Sequence, residues 1–256
     1  MPGTDSSLLL GSPRFADSDL ARIAGSDGAL AAWQKAIGKN AALAASEVTG
    51  DFAVGLREPD GRTFLAVDRF AVHSLCYRMV NGQLQFAARA DELADASTTV
   101  DPQAIFDYLY FHVIPSPRTI FKGIYRLPPG HYALFENGQL TVAPYWVPRF
   151  AEQGTVSFDS LKDEFQNLLR EAVATQLDGS KPACFLSGGT DSSTVAGMAA
   201  LTSRTPVATY SIGFDAQGYD EMEFARLAAK HFKTEHHEYY VTPADLVRSI
   251  PTMAAH

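Results

Sequence analysis

Cysteine is nearly missing from this 256-residue chain, and the two that occur, Cys76 and Cys184, lie far apart in apolar, strand-like runs. That arrangement suits reduced core thiols better than a disulfide framework or a cysteine metal site. No apolar stretch approaches the roughly 20 residues needed to cross a bilayer. The short run from Ser7 to Leu10 lacks the basic flank of a signal peptide, so a cytoplasmic location is expected. Positive charge is scarce as well. The 21 Lys and Arg against 29 Asp and Glu leave a net charge of −8, which argues against nucleic acid or an anionic membrane as partner. Internal repeats and low-complexity tracts are absent. The 46% hydrophobic and 20% charged residues suit a folded chain long enough for two domains.

What the chain does contain is an anion cradle. Leu186-Ser187-Gly188-Gly189-Thr190-Asp191-Ser192-Ser193 follows the apolar run from Ala183 and opens into a helix-compatible stretch. Gly188 and Gly189 allow backbone conformations closed to other residues, so N–H groups can converge on a phosphate. The hydroxyls of Ser187, Ser192 and Ser193 add donors, and the positive end of the following helix points the same way. No Lys-Ser or Lys-Thr follows the glycines, which excludes a Walker A loop, and no Gly-x-Gly-x-x-Gly dinucleotide turn occurs. The remaining pattern, Ser-Gly-Gly-x-Asp-Ser, resembles the pyrophosphatase-type loop of enzymes that split ATP between its α and β phosphates.

Periodicity divides the chain near residue 152. Helices are expected over 17–24 and 27–36, each opened by an acidic or Ser cap. From residue 51 the period falls to two, with strands over 52–56, 63–67, 75–80 and 84–88 read as an antiparallel meander turning at Asp60-Gly61 and Asn81-Gly82. A helix over 101–110, an irregular stretch rich in proline, and a last hairpin around Asn137-Gly138 complete residues 1–152. Residues 153–256 begin with a long amphipathic helix over 157–177. Strands over 183–186, 206–212 and 236–241 then alternate with helices over 192–201, 219–231 and 243–253. That order predicts a parallel sheet with crossover helices and a ligand at the carboxyl ends of its strands. His236, His237 and Glu238 do not suggest a shared metal, because strand neighbours point to opposite faces. His73, His112 and His131 have no evident partner.

The second half resembles the synthetase domain of the asparagine synthetase family. The resemblance rests on residues 186–193 together with Thr209-Tyr-Ser-Ile-Gly-Phe214, Tyr219-Asp220-Glu221 with Ala225, Ala228 and Ala229, and Thr234-Glu-His-His-Glu238. The first half is similar to the later part of that family's glutaminase domain, through Gly50-Asp-Phe-Ala-Val-Gly-Leu56 and Asp68-Arg-Phe-Ala-Val-His-Ser-Leu-Cys-Tyr77, with Ala71 and Ser74 departing from the usual Gly and Pro. The resemblance implies layered antiparallel sheets of the N-terminal-nucleophile type, followed by an α/β ATP-pyrophosphatase domain. It implies ATP and Mg²⁺ as cofactors, with pyrophosphate on Ser187, Gly188, Gly189, Thr190, Asp191, Ser192 and Ser193. Leu186 and Ile212 would line the adenine and ribose pocket. Asp191 would hold the metal, unless it only caps its helix, and Asp27 would hold the glutamine amine, unless it too is a cap.

The departures shape the functional expectation. The family's glutaminase uses a cysteine at the mature N-terminus, whereas this sequence starts Met1-Pro2-Gly3, and the Asn-Gly-Glu and arginine elements expected well before Asp27 do not occur. A second Ser-Gly-Glu-Gly-x-Asp loop does not occur either. The sequence is therefore read as an internal piece of a longer protein, or as an open reading frame cut at both ends. Implied substrates are aspartate or a related carboxylate, with glutamine or ammonia, and the reading leaves room for a homodimer. The leading expectation is an amide-forming ligase that adenylates aspartate and passes it to ammonia derived from glutamine. Two alternatives stand beside it: a tailoring enzyme that closes β-lactam or lasso-peptide rings by the same activation, and a non-catalytic ATP-binding or interaction module.

Overall fold

The computed structural model describes residues 7–152, 154–177, 179–214 and 221–255. The chain forms two compact units, 1–150 and 151–256. In the first, β1 (Ser7–Gly11) and β2 (Arg14–Phe15) lead into α1 (Ser18–Ser26) and α2 (Ala29–Asn40). Asp17 opens α1, its Oδ1 accepting from the N–H groups of Asp19 and Leu20 at 2.8 and 3.1 Å. Then follow β3 (Val48–Thr49), β4 (Phe52–Arg57), β5 (Thr63–Val67), β6 (Cys76–Val80), β7 (Gln83–Ala87), α3 (Pro102–Phe111), β8 (Tyr125–Arg126), β9 (His131–Glu136) and β10 (Gln139–Pro144).

These strands make one five-stranded antiparallel sheet, β1-β4-β5-β9-β10, and a separate three-stranded sheet, β7-β6-β8, with β2 and β3 as a small pair. The expected meander is thus broken. β4 pairs with β5 and β6 with β7, but β5 takes β9 as its other neighbour while β6 takes β8. The break follows from burial. On one face of the larger sheet, Phe52, Val54, Leu56, Phe64 and Ala66 pack with Trp33, Ala36 and Ile37 of α2. On the other, Ala53, Leu65 and Val67 pack with Leu75, just before β6, and with Tyr77, Leu84 and Phe86 of the smaller sheet. β4 and β5 are therefore buried on both faces, which accounts for their nearly continuous apolar runs where a half-solvated strand would alternate. Gly55 belongs to this packing, since a Cβ there would meet the Phe86 ring at 2.5 Å.

A single carboxylate ties the strand ends together. Asp68 is buried, and its oxygens accept from the N–H groups of Phe70 at 2.9 Å and of Phe52 and Val72 at 3.1 Å each. Nearby, His73 Nε2 lies 2.8 Å from Asp51 Oδ2, so His73 does have a partner, 22 residues away. His131 Nδ1 bonds Pro129 O at 2.8 Å, and His112 ends α3 in a left-handed conformation.

In the second unit, α4 (Phe158–Ala174), β11 (Ala183–Phe185), α5 (Thr190–Thr202), β12 (Ala208–Phe214), α6 (Met222–Phe232), β13 (Glu235–Val241) and α7 (Pro243–Ala255) follow in turn. The three strands pair in parallel in the order β11-β12-β13. The start expected for the helix at 219 and the motif residues Tyr219 and Asp220 lie outside the described residues. One sheet face carries the core, where Leu186 packs with Ala196 of α5 and with Met222, Ala225 and Ala229 of α6. On the opposite face Phe185, Tyr210, Ile212, Phe214 and Tyr239 remain exposed. No helix of the described residues is long and apolar enough to cross a membrane.

Because Asp68 is buried and meets three backbone donors, Asp68→Ala should destabilise the first unit by about 2–4 kcal/mol in urea unfolding. A loss below ~0.5 kcal/mol would show that the carboxylate is not holding the strand ends.

Candidate functional site

The loop leaves β11 at its carboxyl end and enters α5 directly, which is where a parallel sheet presents ligand sites. Gly188 has φ of +83°, a left-handed backbone that suits glycine. Its missing side chain matters just as much, because a Cβ there would lie 2.5 Å from Ala225 N and 2.6 Å from Phe224 Cβ. The loop therefore rests against the first turn of α6 with no room to spare. Gly189 is the N-cap of α5 in an extended conformation, with only Ser187 Oγ close to where a Cβ would sit, at 3.3 Å.

Within the loop, two donors are already engaged. Ser187 N donates to Ser192 Oγ at 3.2 Å, and Gly189 N donates to Ser187 Oγ at 3.2 Å. The N–H groups of the first turn of α5, at Thr190, Asp191 and Ser192, have no helical acceptor and stand at the positive end of the helix. Asp191 lies in that turn, exposed, and its carboxylate makes no hydrogen bond or ion pair with a described residue. It does not cap α5; Gly189 occupies that position without a side-chain bond. Ser193 N is taken by Gly189 O at 3.0 Å and continues the helix.

The remaining candidates separate. Leu186 is only 1% exposed and its side chain belongs to the core, while its carbonyl accepts from Ser211 Oγ and its N–H donates to Tyr210 O at 2.9 Å. Ile212, 54% exposed, lies on the open sheet face, where it lines a shallow apolar hollow of about 550 Å³ with Phe185, Tyr210, His237 and Tyr239. Asp27 ends α1 and accepts from Ser26 Oγ at 3.2 Å; α2 is opened by Gly28 instead. On the covered face, Arg226 clasps Glu238 through Nε and Nη2 at 2.8 and 2.6 Å. His236 Nδ1 meets Thr209 Oγ1 at 3.0 Å, and burial holds its imidazole below the usual range. His237 turns away and stacks on Tyr210. Among the described residues no His, Cys, Asp and Glu group forms a metal site.

Neither cysteine is an activated nucleophile. Burial pushes the Cys76 thiol up to about 11 and raises that of Cys184 as well. Cys184, expected in the core, is only half-buried, because its strand is an edge of the parallel sheet.

Comparison with known families matches the glutamine amidotransferase domain over residues 27–146 and asparagine synthase over 164–256. The two matches lie in the order expected of a fragment of an asparagine synthetase-type protein. It is similar to asparagine synthetase [glutamine-hydrolyzing] 1 of Bacillus subtilis, 27% identical over 218 residues, or 83% of this chain and 34% of the relative. A putative asparagine synthetase [glutamine-hydrolyzing] 2 of Methanocaldococcus jannaschii is 29% identical over 72% of this chain and 37% of its own. The amidase chyE of Penicillium rubens is 28% identical over 75% of this chain and 31% of its own. The chain thus spans about a third of the length of these relatives.

Two outcomes test the geometry. Gly188→Ala should destabilise the second unit by about 1–3 kcal/mol in urea unfolding, through strain and collision with α6, whereas Gly189→Ala should change it by less than ~1 kcal/mol; equal effects would contradict the packing. The second concerns Asp51, whose carboxyl the His73 hydrogen bond holds below its ordinary range. A depressed carboxyl stabilises the fold above the unfolded value near ~3.9 and loses that contribution as pH falls through the folded value. Wild type should therefore exceed His73→Ala in stability at pH 6 and converge with it toward pH 3; parallel curves would remove the pair's role.

Proposed function

We propose that the chain is the nucleotide-binding part of an ATP-dependent carbon–nitrogen ligase. The observation that carries this reading is the 187–193 loop, set at the carboxyl end of a parallel strand, free of cationic side chains and opening a 13-residue helix. Such a loop suits the inner phosphates of ATP, because its amides and helix end address charge that grows on the leaving pyrophosphate. Asp191 fits the metal. It is exposed, unpaired with described residues and beside the phosphate donors, and Mg²⁺ takes oxygen ligands of this kind. When bound, the ion would supply charge neutralisation between phosphates. Ile212 would face the nucleoside. Leu186 would contribute the floor through packing alone.

The acid substrate would be aspartate or a related carboxylate, activated as its adenylate so that an amine can displace AMP. Asparagine synthetase-type relatives support ammonia from glutamine as that amine, with the antiparallel layers of the first unit supporting an N-terminal-nucleophile type of fold and Asp27 as its amine-holding residue. A second reading keeps the same activation and takes the amine from the substrate itself, as in ring-closing tailoring enzymes; the likeness to an amidase beside the glutamine-hydrolysing synthetases supports keeping it.

Exchange of labelled pyrophosphate into ATP by the full chain, with Mg²⁺ and aspartate, tests the reading. Exchange is expected with the wild-type chain and should fall at least ~100-fold in Asp191→Asn. Exchange only with another carboxylate would select the tailoring reading. Tight Mg-ATP binding without exchange would instead mark a non-catalytic module, and no binding at all would defeat the proposal.

A further inference from the structure

The phosphate loop is closed on itself through one hydroxyl of α5. Ser192 Oγ accepts from Ser187 N at 3.2 Å, lies 2.9 Å from Ser187 Oγ, and donates toward Gly189 O at 3.3 Å. Ser187 Oγ in turn accepts from Gly189 N at 3.2 Å. Two serine oxygens thus stand where phosphate oxygens would accept from the same amides. One oxygen, anchored in the first turn of a helix, reaches both ends of the Gly188-Gly189 segment.

That segment is the part of the chain with the most freedom to lose. Two adjacent glycines carry more backbone entropy than any other pair, and a ligand that had to order them would bind more weakly for it. We propose that Ser192 is a positioning residue that holds the phosphate loop in its ligand-ready curl before nucleotide arrives, a role that rests on the nucleotide reading above. On binding, the amides of Ser187 and Gly189 exchange a hydroxyl acceptor for a phosphate oxygen, and the freed hydroxyls turn to donate to the same phosphate. The number of hydrogen bonds does not fall, and the backbone need not reorganise.

The test compares wild type, Ser192→Ala and Ser192→Thr in the full chain. Amide hydrogen exchange is followed first without nucleotide. The alanine variant should exchange the Ser187 amide, which loses its acceptor, and the Gly189 amide, whose acceptor Ser187 Oγ loses its own partner, about 5–10-fold faster, while β12 amides such as Ile212 keep their wild-type rates. Threonine, which retains the hydroxyl, should restore slow exchange. Mg-ATP titration should then give a Kd raised by a similar factor in the alanine variant, with pyrophosphate exchange at saturating ATP reduced far less. Weaker binding with unchanged loop exchange would make Ser192 a ligand and nothing more, and would overturn the proposal. Faster exchange spread through β12 would overturn it too, as a defect of folding. Since the exchange experiment contains no nucleotide, its failure is distinct from that of the nucleotide reading, which would show as no Mg-ATP binding by wild type.

Discussion

A missing methyl group sets the geometry of the second unit. At residue 188 the backbone turns left-handed and runs so close to the first turn of α6 that no side chain fits. That approach aligns β11, the loop and α5 with the small residues of α6, where Ala225 and Ala229 pack with Leu186 and Ala196. Bulk at any of these positions would lift the helix from the sheet. The candidate site and the core are thus one piece of packing, and the loop's shape follows from what lies beneath it.

In the first unit the organising constraint is burial on two sides. β4 and β5 carry the unit's interior, with helices against one face and the smaller sheet against the other. Asp68 is buried there with its carboxylate matched to three backbone donors. The same burial raises the Cys76 thiol and removes it from nucleophilic chemistry.

Much of this was legible in the sequence because it is local. The hairpins at Asn81-Gly82 and Asn137-Gly138, the alternation of strand and helix after residue 157, and the glycine loop opening α5 each follow from turn chemistry or periodicity within a dozen residues. What escaped is non-local. β1 is a five-residue edge strand, identifiable only through its pairing with β4 some 40 residues on. The separation of β6 and β7 into their own sheet depends on which strand next meets β5, and that strand, β9, comes from beyond residue 130. His73 finds Asp51 only in the folded chain. The sequence pattern suggests Asp27 as the cap of α2, but Gly28, with a positive φ, opens that helix in its place. For Asp191 the cap and ligand patterns ask for the same residue at the same spot, and the first turn of α5 removes the cap alone, since Gly189 holds that position.

The loop's donors are all neutral dipoles; no side chain from 187 to 193 is cationic. Dipoles at contact distance are little affected by ionic strength, whereas the attraction of a lysine for a polyphosphate weakens as salt rises. A chain that is itself strongly acidic would repel a bare triphosphate at long range, and these amides act only at short range. On the reading given above, capture would therefore fall to the cation-neutralised form of the ligand, and its grip would persist at salt concentrations that loosen a lysine-based cradle.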